Sequence, residues 1–310
     1  MSTRSPLDGQ GMAIMVLLCA IWGLQQVELK AVASDFSPTL QIALRSGLAA
    51  VLVLGLMFWQ RKALNLRQNW KPGLLAGSLF GLEFLLVGEG LRYTSASHMV
   101  VLLYTAPIFV ALGMHWKFPA ERLARLQWLG VLLAFAGIAV SFLGSGSQPS
   151  ASGSHVLWGD FLALLAGASW GATTVTVRST SLASASALEA LFYQLLTGFV
   201  LILTGAFWSG QLTFNPGPAT YASLLFQTLV VSFGSFLTWF ALLKRYMAPQ
   251  LGVFSFLTPL FGVLFGVWLL GEPLEPGFVL GTAMVIGGLL VVSGYGWYMA
   301  RRRRRMARVL

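Results

Sequence analysis

The chain has 310 residues, 56% hydrophobic and 10% charged, with a mean hydropathy of +0.76 and a formal net charge of +10. Soluble domains carry about 25% charged residues. This chain therefore cannot coat a water-facing surface, which excludes a soluble enzyme, a disordered chain and a nucleic-acid-binding domain. A helix needs about 20 mostly apolar residues to cross a bilayer, and ten such runs follow one another at roughly 12–33, 38–59, 72–91, 95–117, 126–144, 156–178, 186–209, 218–243, 249–270 and 277–299. The runs are continuous rather than alternating, which favours helices over a β-barrel.

The first run follows Arg4 as a signal peptide would. It exceeds an ordinary signal core and no small-residue cleavage site follows, so it reads as a retained span. It carries Trp22-Gly23, then Gln25, Gln26 and Glu28. Gln25 and Glu28 are three apart and share a helix face, with Gln26 on the flank. Cys19, the single cysteine, can form no intramolecular disulfide. Span two carries Arg45. Span three carries Glu83 and the small-residue face Gly77-x-x-x-Gly81, span four His98, Tyr104 and Thr105-Ala106-Pro107, and span five Gly130 and Gly137. A Gly/Ser linker occupies 145–155. Span six then holds Trp170-Gly171, Thr173 and Thr176. Span eight holds Ser232, Ser235, Thr238 and Trp239, and span nine holds Ser255, Thr258-Pro259 and Gly262-x-x-x-Gly266. Gly281 and Gly288 mark span ten, and a basic tail, 301–310, closes the chain. That tail reads as an anchor for the last span rather than a nucleic-acid or lipid-binding patch.

Lys and Arg accumulate in cytoplasmic loops. With the N-terminus inside, the inner segments hold Arg4, Arg61, Lys62, Arg67, Lys71, Lys117, Arg122, Arg125, Arg178, Lys244, Arg245 and six tail arginines, which is seventeen of the 20. The outer ends hold Lys30 and Arg92, and Arg45 lies within span two. Both termini are thus expected to be cytoplasmic and the linker periplasmic, with an even number of spans.

The halves match each other in order. Trp22-Gly23 corresponds to Trp170-Gly171, Lys30 to Arg178, Arg92-Tyr93 to Arg245-Tyr246, and Thr105-Ala106-Pro107 to Thr258-Pro259. Glu121-Arg122-Leu123 corresponds to Glu272-Pro273-Leu274, and spans five and ten each carry two glycines seven apart. Five spans per half make the second half enter the membrane in the opposite sense. The expected fold is an all-α membrane protein of ten transmembrane helices, two inverted five-helix repeats (1–144 and 156–300) around a central cavity. Such repeats mark secondary transporters.

Polar residues at membrane depth are costly and face the bundle interior. The expected cavity residues are Trp22, Gln25, Glu28, Glu83, His98, Tyr104, Trp170, Thr173, Ser232, Ser235, Trp239 and Ser255. Glu83 has three open readings: a ligand for an ammonium group, the carrier of a coupling proton, or a partner in a buried ion pair. Arg45 reads as structural. Pro107 and Pro259 disturb the carbonyls of Leu103 and Ser255 and read as a paired hinge with those carbonyls facing the pathway. Trp59, Trp70, Trp116, Trp128, Trp158, Trp208, Trp268 and Trp297 fall near span ends, as an interfacial belt does. The small-residue faces read as close packing within a monomer.

These motifs resemble those of the drug/metabolite transporter superfamily, in its ten-span EamA-type branch. The resemblance rests on Trp22-Gly23, Arg45, the Leu91-Arg92-Tyr93-Thr94-Ser95-Ala96 junction, Thr105-Ala106-Pro107-Ile108-Phe109 and Glu121-Arg122-Leu123. In the second half it rests on Leu257-Thr258-Pro259-Leu260, Gly271-Glu272-Pro273 and Gly281, and it covers nearly the whole chain. Two departures stand out. Glu83 and Glu89 occupy span three where apolar and aromatic residues are expected, and Pro119-Ala120-Glu121 stands where the second half has Gly271-Glu272.

The resemblance implies a bacterial inner-membrane exporter of aromatic and other amino acids, working on a small-molecule substrate as a lipid-embedded monomer. No cofactor, metal or nucleic acid is expected. The sequence contains no G-x-x-x-x-G-K-[ST], so energy is not drawn from nucleotide through a P-loop. The alternatives are an intramembrane enzyme and a non-transporting receptor or subunit. The enzyme is disfavoured because His98, His115 and His155 are isolated and Asp is limited to Asp8, Asp35 and Asp160.

Overall fold

The computed structural model describes residues 4–94, 96–142, 153–271 and 277–306, excepting the side chains of Ser97, 153–155 and 296–306. Linker residues 145–152, Ser95, the Glu272-Pro273 motif and Arg308 lie outside this description, as do the side chains of His155, Trp297 and Arg301–Arg305. Ten helical spans are long and apolar enough to cross a membrane: Gly9–Ala31, Pro38–Trp59, Leu66–Gly90, His98–Lys117, Arg125–Phe142, Val156–Ser179, Ala187–Ser209, Pro218–Arg245, Ala248–Leu270 and Gly277–Tyr295. The protein is a multi-pass membrane protein. No strand occurs among the described residues, only the isolated bridges Ser5–Tyr246 and Phe36–Phe214. The last three linker residues are already helical, since the helix containing span six starts at Gly153. The helix of span ten continues to Met306, through the expected tail boundary.

Two spans are broken at similar positions along their length. Span four consists of Ala96–Leu103 and Ala106–Lys117, and span nine of Ala248–Phe254 and Leu257–Leu270. Pro107 and Pro259 each sit in the first turn of the second piece, where the missing N–H has no helical partner to lose. The expectation of free carbonyls facing the pathway needs correction at Ser255. The Ser255 carbonyl accepts the Thr258 N–H at 2.9 Å. The Leu103 carbonyl is directed at Gly167 of span six, 2.8 Å from where a Cβ there would stand.

Span eight holds a surprise. Its middle, Phe226–Ser235, is a π-helix between the α-helical pieces Pro218–Leu225 and Phe236–Arg245. The wider turn changes which residues share a face, so Ser232, Ser235 and Thr238 do not form one stripe.

Packing follows the small residues. Span ten lies along span five, where a Cβ at Gly130 would stand 2.8 Å from the Gly288 carbonyl and one at Gly137 2.6 Å from the Gly281 carbonyl. Span three packs on spans six and seven, span two on seven and eight, span one on nine, and span four on six. The Gly77/Gly81 face is filled by Thr197 and Leu201 of span seven, and Gly262 by Gly23 of span one, all within one chain. Trp59, Trp116, Trp208 and Trp268 are exposed near span ends, whereas Trp128 is packed against the core.

The face carrying the N-terminus is tied by polar contacts. Asp8 caps span one through the Gly11 N–H at 2.8 Å and accepts the Tyr246 hydroxyl at 2.7 Å, with Arg245 3.3 Å away. The Leu7 N–H donates to Gln250 at 2.7 Å. The Gly11 N–H, then the Tyr246 hydroxyl and Arg245, hold the Asp8 carboxyl below its ordinary range. This contribution is complete above the ordinary carboxylate pKa and is lost as pH falls through the lowered value. Asp8→Ala is expected to destabilise the neutral protein by about 1 kcal/mol, the worth of an N-cap. Thermal melts against pH should show the difference from wild type vanishing in acid.

Candidate functional site

A cavity of about 150 Å³ lies at the centre of the bundle. Span one contributes Trp22, Gln25 and Gln26, span three Phe80, Glu83 and Phe84, and span four Leu103 and Tyr104. Span six adds Trp170, Thr173 and Thr174, span seven Gln194, span eight Phe236 and Trp239, and span nine Thr258. The walls are thus aromatic, with amides, hydroxyls and one carboxylate set into them, the pattern of a small-molecule site. Of the expected cavity residues, Trp22, Gln25, Glu83, Tyr104, Trp170, Thr173 and Trp239 line it. The repeat-related Trp22 and Trp170 do not stack on each other. Trp22 meets Trp239 edge-on at 5.7 Å, and Trp170 meets Tyr104 edge-on at 5.4 Å.

Five expected residues are not brought to the cavity. Ser235 is spent on structure, accepting the Trp22 indole N–H at 2.9 Å and donating to the Val231 carbonyl at 2.6 Å. Ser232 is fully buried behind it, displaced by the π-turn. Ser255 is fully buried and donates to the Gly252 carbonyl of its own turn at 2.6 Å. His98 sits near the start of span four, 3.1 Å from Asp160 at the start of span six. Glu28 turns toward span eight, accepting from Gln227 at 2.5 Å.

Conversely, Phe80, Phe84, Thr174, Gln194, Phe236 and Thr258 line the cavity without having been expected there, while Gln26 lines it from the flank of the span-one face and Leu103 lines it where its carbonyl was expected. Gln194 was findable: it is an amide inside an apolar run, the signal that singled out Gln25. The phenylalanines carried none, since aromatic residues at helical spacing read equally as core.

Behind the wall lies a polar network. Arg45 is fully buried and donates through Nη1 to Gln25 of span one and Gln227 of span eight. Gln227 passes the link on to Glu28. The guanidinium stands 5.7 Å from the Phe84 ring centre and 6.0 Å from that of Phe236. Arg45 is therefore a joint between spans one, two and eight.

The two ends of the bundle differ. On the face carrying the N-terminus, Glu121 pairs with Arg178 of span six and accepts the Ala248 N–H of span nine at 3.1 Å. Lys244 donates to the Ala185 carbonyl nearby. Toward the opposite face, a second cavity of about 620 Å³ opens between spans two, three and seven, lined by Thr39, Glu89, Arg92, Trp208 and Gln211 among others. Phe84 lines both cavities.

A ten-span bundle with a polar, aromatic cavity, tied shut on one face and hollow toward the other, has the form of a small-solute transporter. The model of the EamA-like transporter family matches this chain twice, over residues 9–143 and 157–294. The chain belongs to that family, within the drug/metabolite transporter superfamily. It is 25% identical over 285 residues to the uncharacterized transporter YoaV of Bacillus subtilis, covering 89% of this chain and 94% of the relative. It is 27% identical over 308 residues to a Salmonella typhimurium protein named a probable amino-acid metabolite efflux pump, covering 96% and 97%. A solved crystal structure 18% identical in sequence superposes with a TM-score of 0.78, over 94% of this chain and 99% of that one, and shares the fold.

Proposed function

We propose that the protein is a secondary transporter that exports amino acids or similar small amphipathic metabolites across the bacterial inner membrane by alternating access. The observation that carries this reading is the central cavity, built by spans of both halves and flanked by one tied and one hollow face. Supporting it are the family, the transporter names of the relatives, and the efflux-pump name of the Salmonella protein.

In this reading the halves are inverted repeats, 1–144 and 156–300. The two family matches, the matched breaks in spans four and nine, and the facing glycine pairs of spans five and ten support that division. The broken spans also meet, since Gly252 lies against Pro107, which suits a paired hinge. The distribution of Lys and Arg supports cytoplasmic termini. The structure then corresponds to a state closed to the cytoplasm. Substrate enters the cavity from inside after Glu121–Arg178 separates, and leaves past Phe84.

The test is efflux and uptake of labelled amino acids by purified protein in proteoliposomes, with and without a pH gradient. Flux above protein-free liposomes is expected for at least one amino acid. A flux that does not respond to the gradient would remove Glu83 as a proton carrier. Absence of flux for every amino acid would contradict amino acids as the substrates.

A further inference from the structure

The cavity is unbalanced in charge. Among the described residues that line it, Glu83 is the only charged one, and it is half-buried with no hydrogen-bond donor placed on it. The nearest cation in the network, Arg45, exposes no surface and spends Nη1 on Gln25 and Gln227. Gln227 also holds Glu28. Arg45 thus lies behind the wall, its charge divided between Glu28 and Glu83. What remains for a solute is one carboxylate among aromatic faces, including Trp22, Trp170 and Trp239. A positive charge is attracted both by a carboxylate in a low-dielectric site and by the faces of such rings. A negative charge finds no cation on the wall and meets Glu83.

We infer that this cavity selects solutes of net positive charge on an apolar or aromatic body, preferring an amine to the zwitterion with the same side chain and disfavouring the corresponding acid. The inference rests on the reading of the cavity as the transport site and narrows its substrate class. Amino-acid derivatives that lack the free carboxylate, such as the decarboxylated amines, fit it better than the amino acids themselves.

Three compounds with one body separate the possibilities: 2-phenylethylamine, phenylalanine and 3-phenylpropionate. Their binding to the purified full chain is measured by titration calorimetry, with flux of labelled phenylalanine followed in parallel. The amine is expected to bind about tenfold more tightly than phenylalanine, the scale of a desolvated cation over aromatic faces, with the acid weakest. Glu83→Gln should remove most of that advantage and strengthen binding of the acid, which no longer meets a like charge. If the variant does not fold, the wild-type ranking decides alone. Equal affinities, an acid that binds best, or no binding by any of the three would overturn the inference. Phenylalanine flux persisting beside such a result would leave the transport reading intact, whereas loss of all flux would remove that reading too.

Discussion

Arg178→Ala is expected to cost about 3–5 kcal/mol of stability, the usual result of stripping one partner from a buried ion pair. Arg178 and Glu121 are 5% and 6% exposed, so water cannot take the place of the lost partner. Glu121 also accepts the Ala248 N–H, which joins the loop after span four to the start of span nine. The pair thus ties spans four, six and nine on one face. Removing both charges with Glu121→Leu and Arg178→Met should recover only part of the loss. The ion-pair penalty disappears, but the buried Ala248 N–H is left without its acceptor, at about 1–3 kcal/mol. Melting of the two single variants and the double variant in detergent gives the comparison. A double variant as unstable as Arg178→Ala would show that the charge pair is not what holds this face.

Arg45→Met should destabilise by about 2–4 kcal/mol, somewhat less. Arg45 is fully buried, and its loss leaves Gln25 and Gln227 without their donor. Glu28 then keeps the Gln227 amide but no cation behind it. Glu28 is half-buried, so solvent screening softens the loss. The Arg45 Nε and Nη2 groups have no hydrogen-bond partner, so methionine also relieves a cost already present. Adding Glu28→Gln should restore stability toward wild type, measured by the same melts. No recovery would mean that Arg45 acts through Gln25 and the aromatic rings rather than through Glu28.

The spans were legible because the bilayer imposes one simple rule on composition. Ten apolar runs became ten helices, with ends moved by a few residues. The breaks in spans four and nine were foreshadowed by Pro107 and Pro259, because a missing N–H must fall where a helix begins or breaks. One of the two carbonyls there departs from the expectation, and predicting it requires knowing that the Ser255 carbonyl takes the Thr258 N–H. The π-helix in span eight, Phe226–Ser235, which packs against spans one and two, had no sequence signal. It undid the serine stripe and left Ser232 and Ser235 behind the wall, while Phe236 and Trp239 line the cavity. Membrane depth alone cannot tell a cavity side chain from a structural one. Glu28 and Glu83 look alike in sequence, yet one joins the Arg45 network and the other faces the cavity.

The most direct test of the cavity as the transport path is to fill it. Thr173 lines the cavity and donates only to the Ser169 carbonyl of its own helix, at 2.9 Å, so replacing it severs no tie between spans. Flux of the best-transported solute is measured in proteoliposomes for wild type and Thr173→Trp, with reconstitution and melting matched. If the solute passes through this space, flux falls to the level of protein-free liposomes while the variant stays folded. Flux at the wild-type rate in a folded Thr173→Trp protein would mean that solutes do not pass through this cavity.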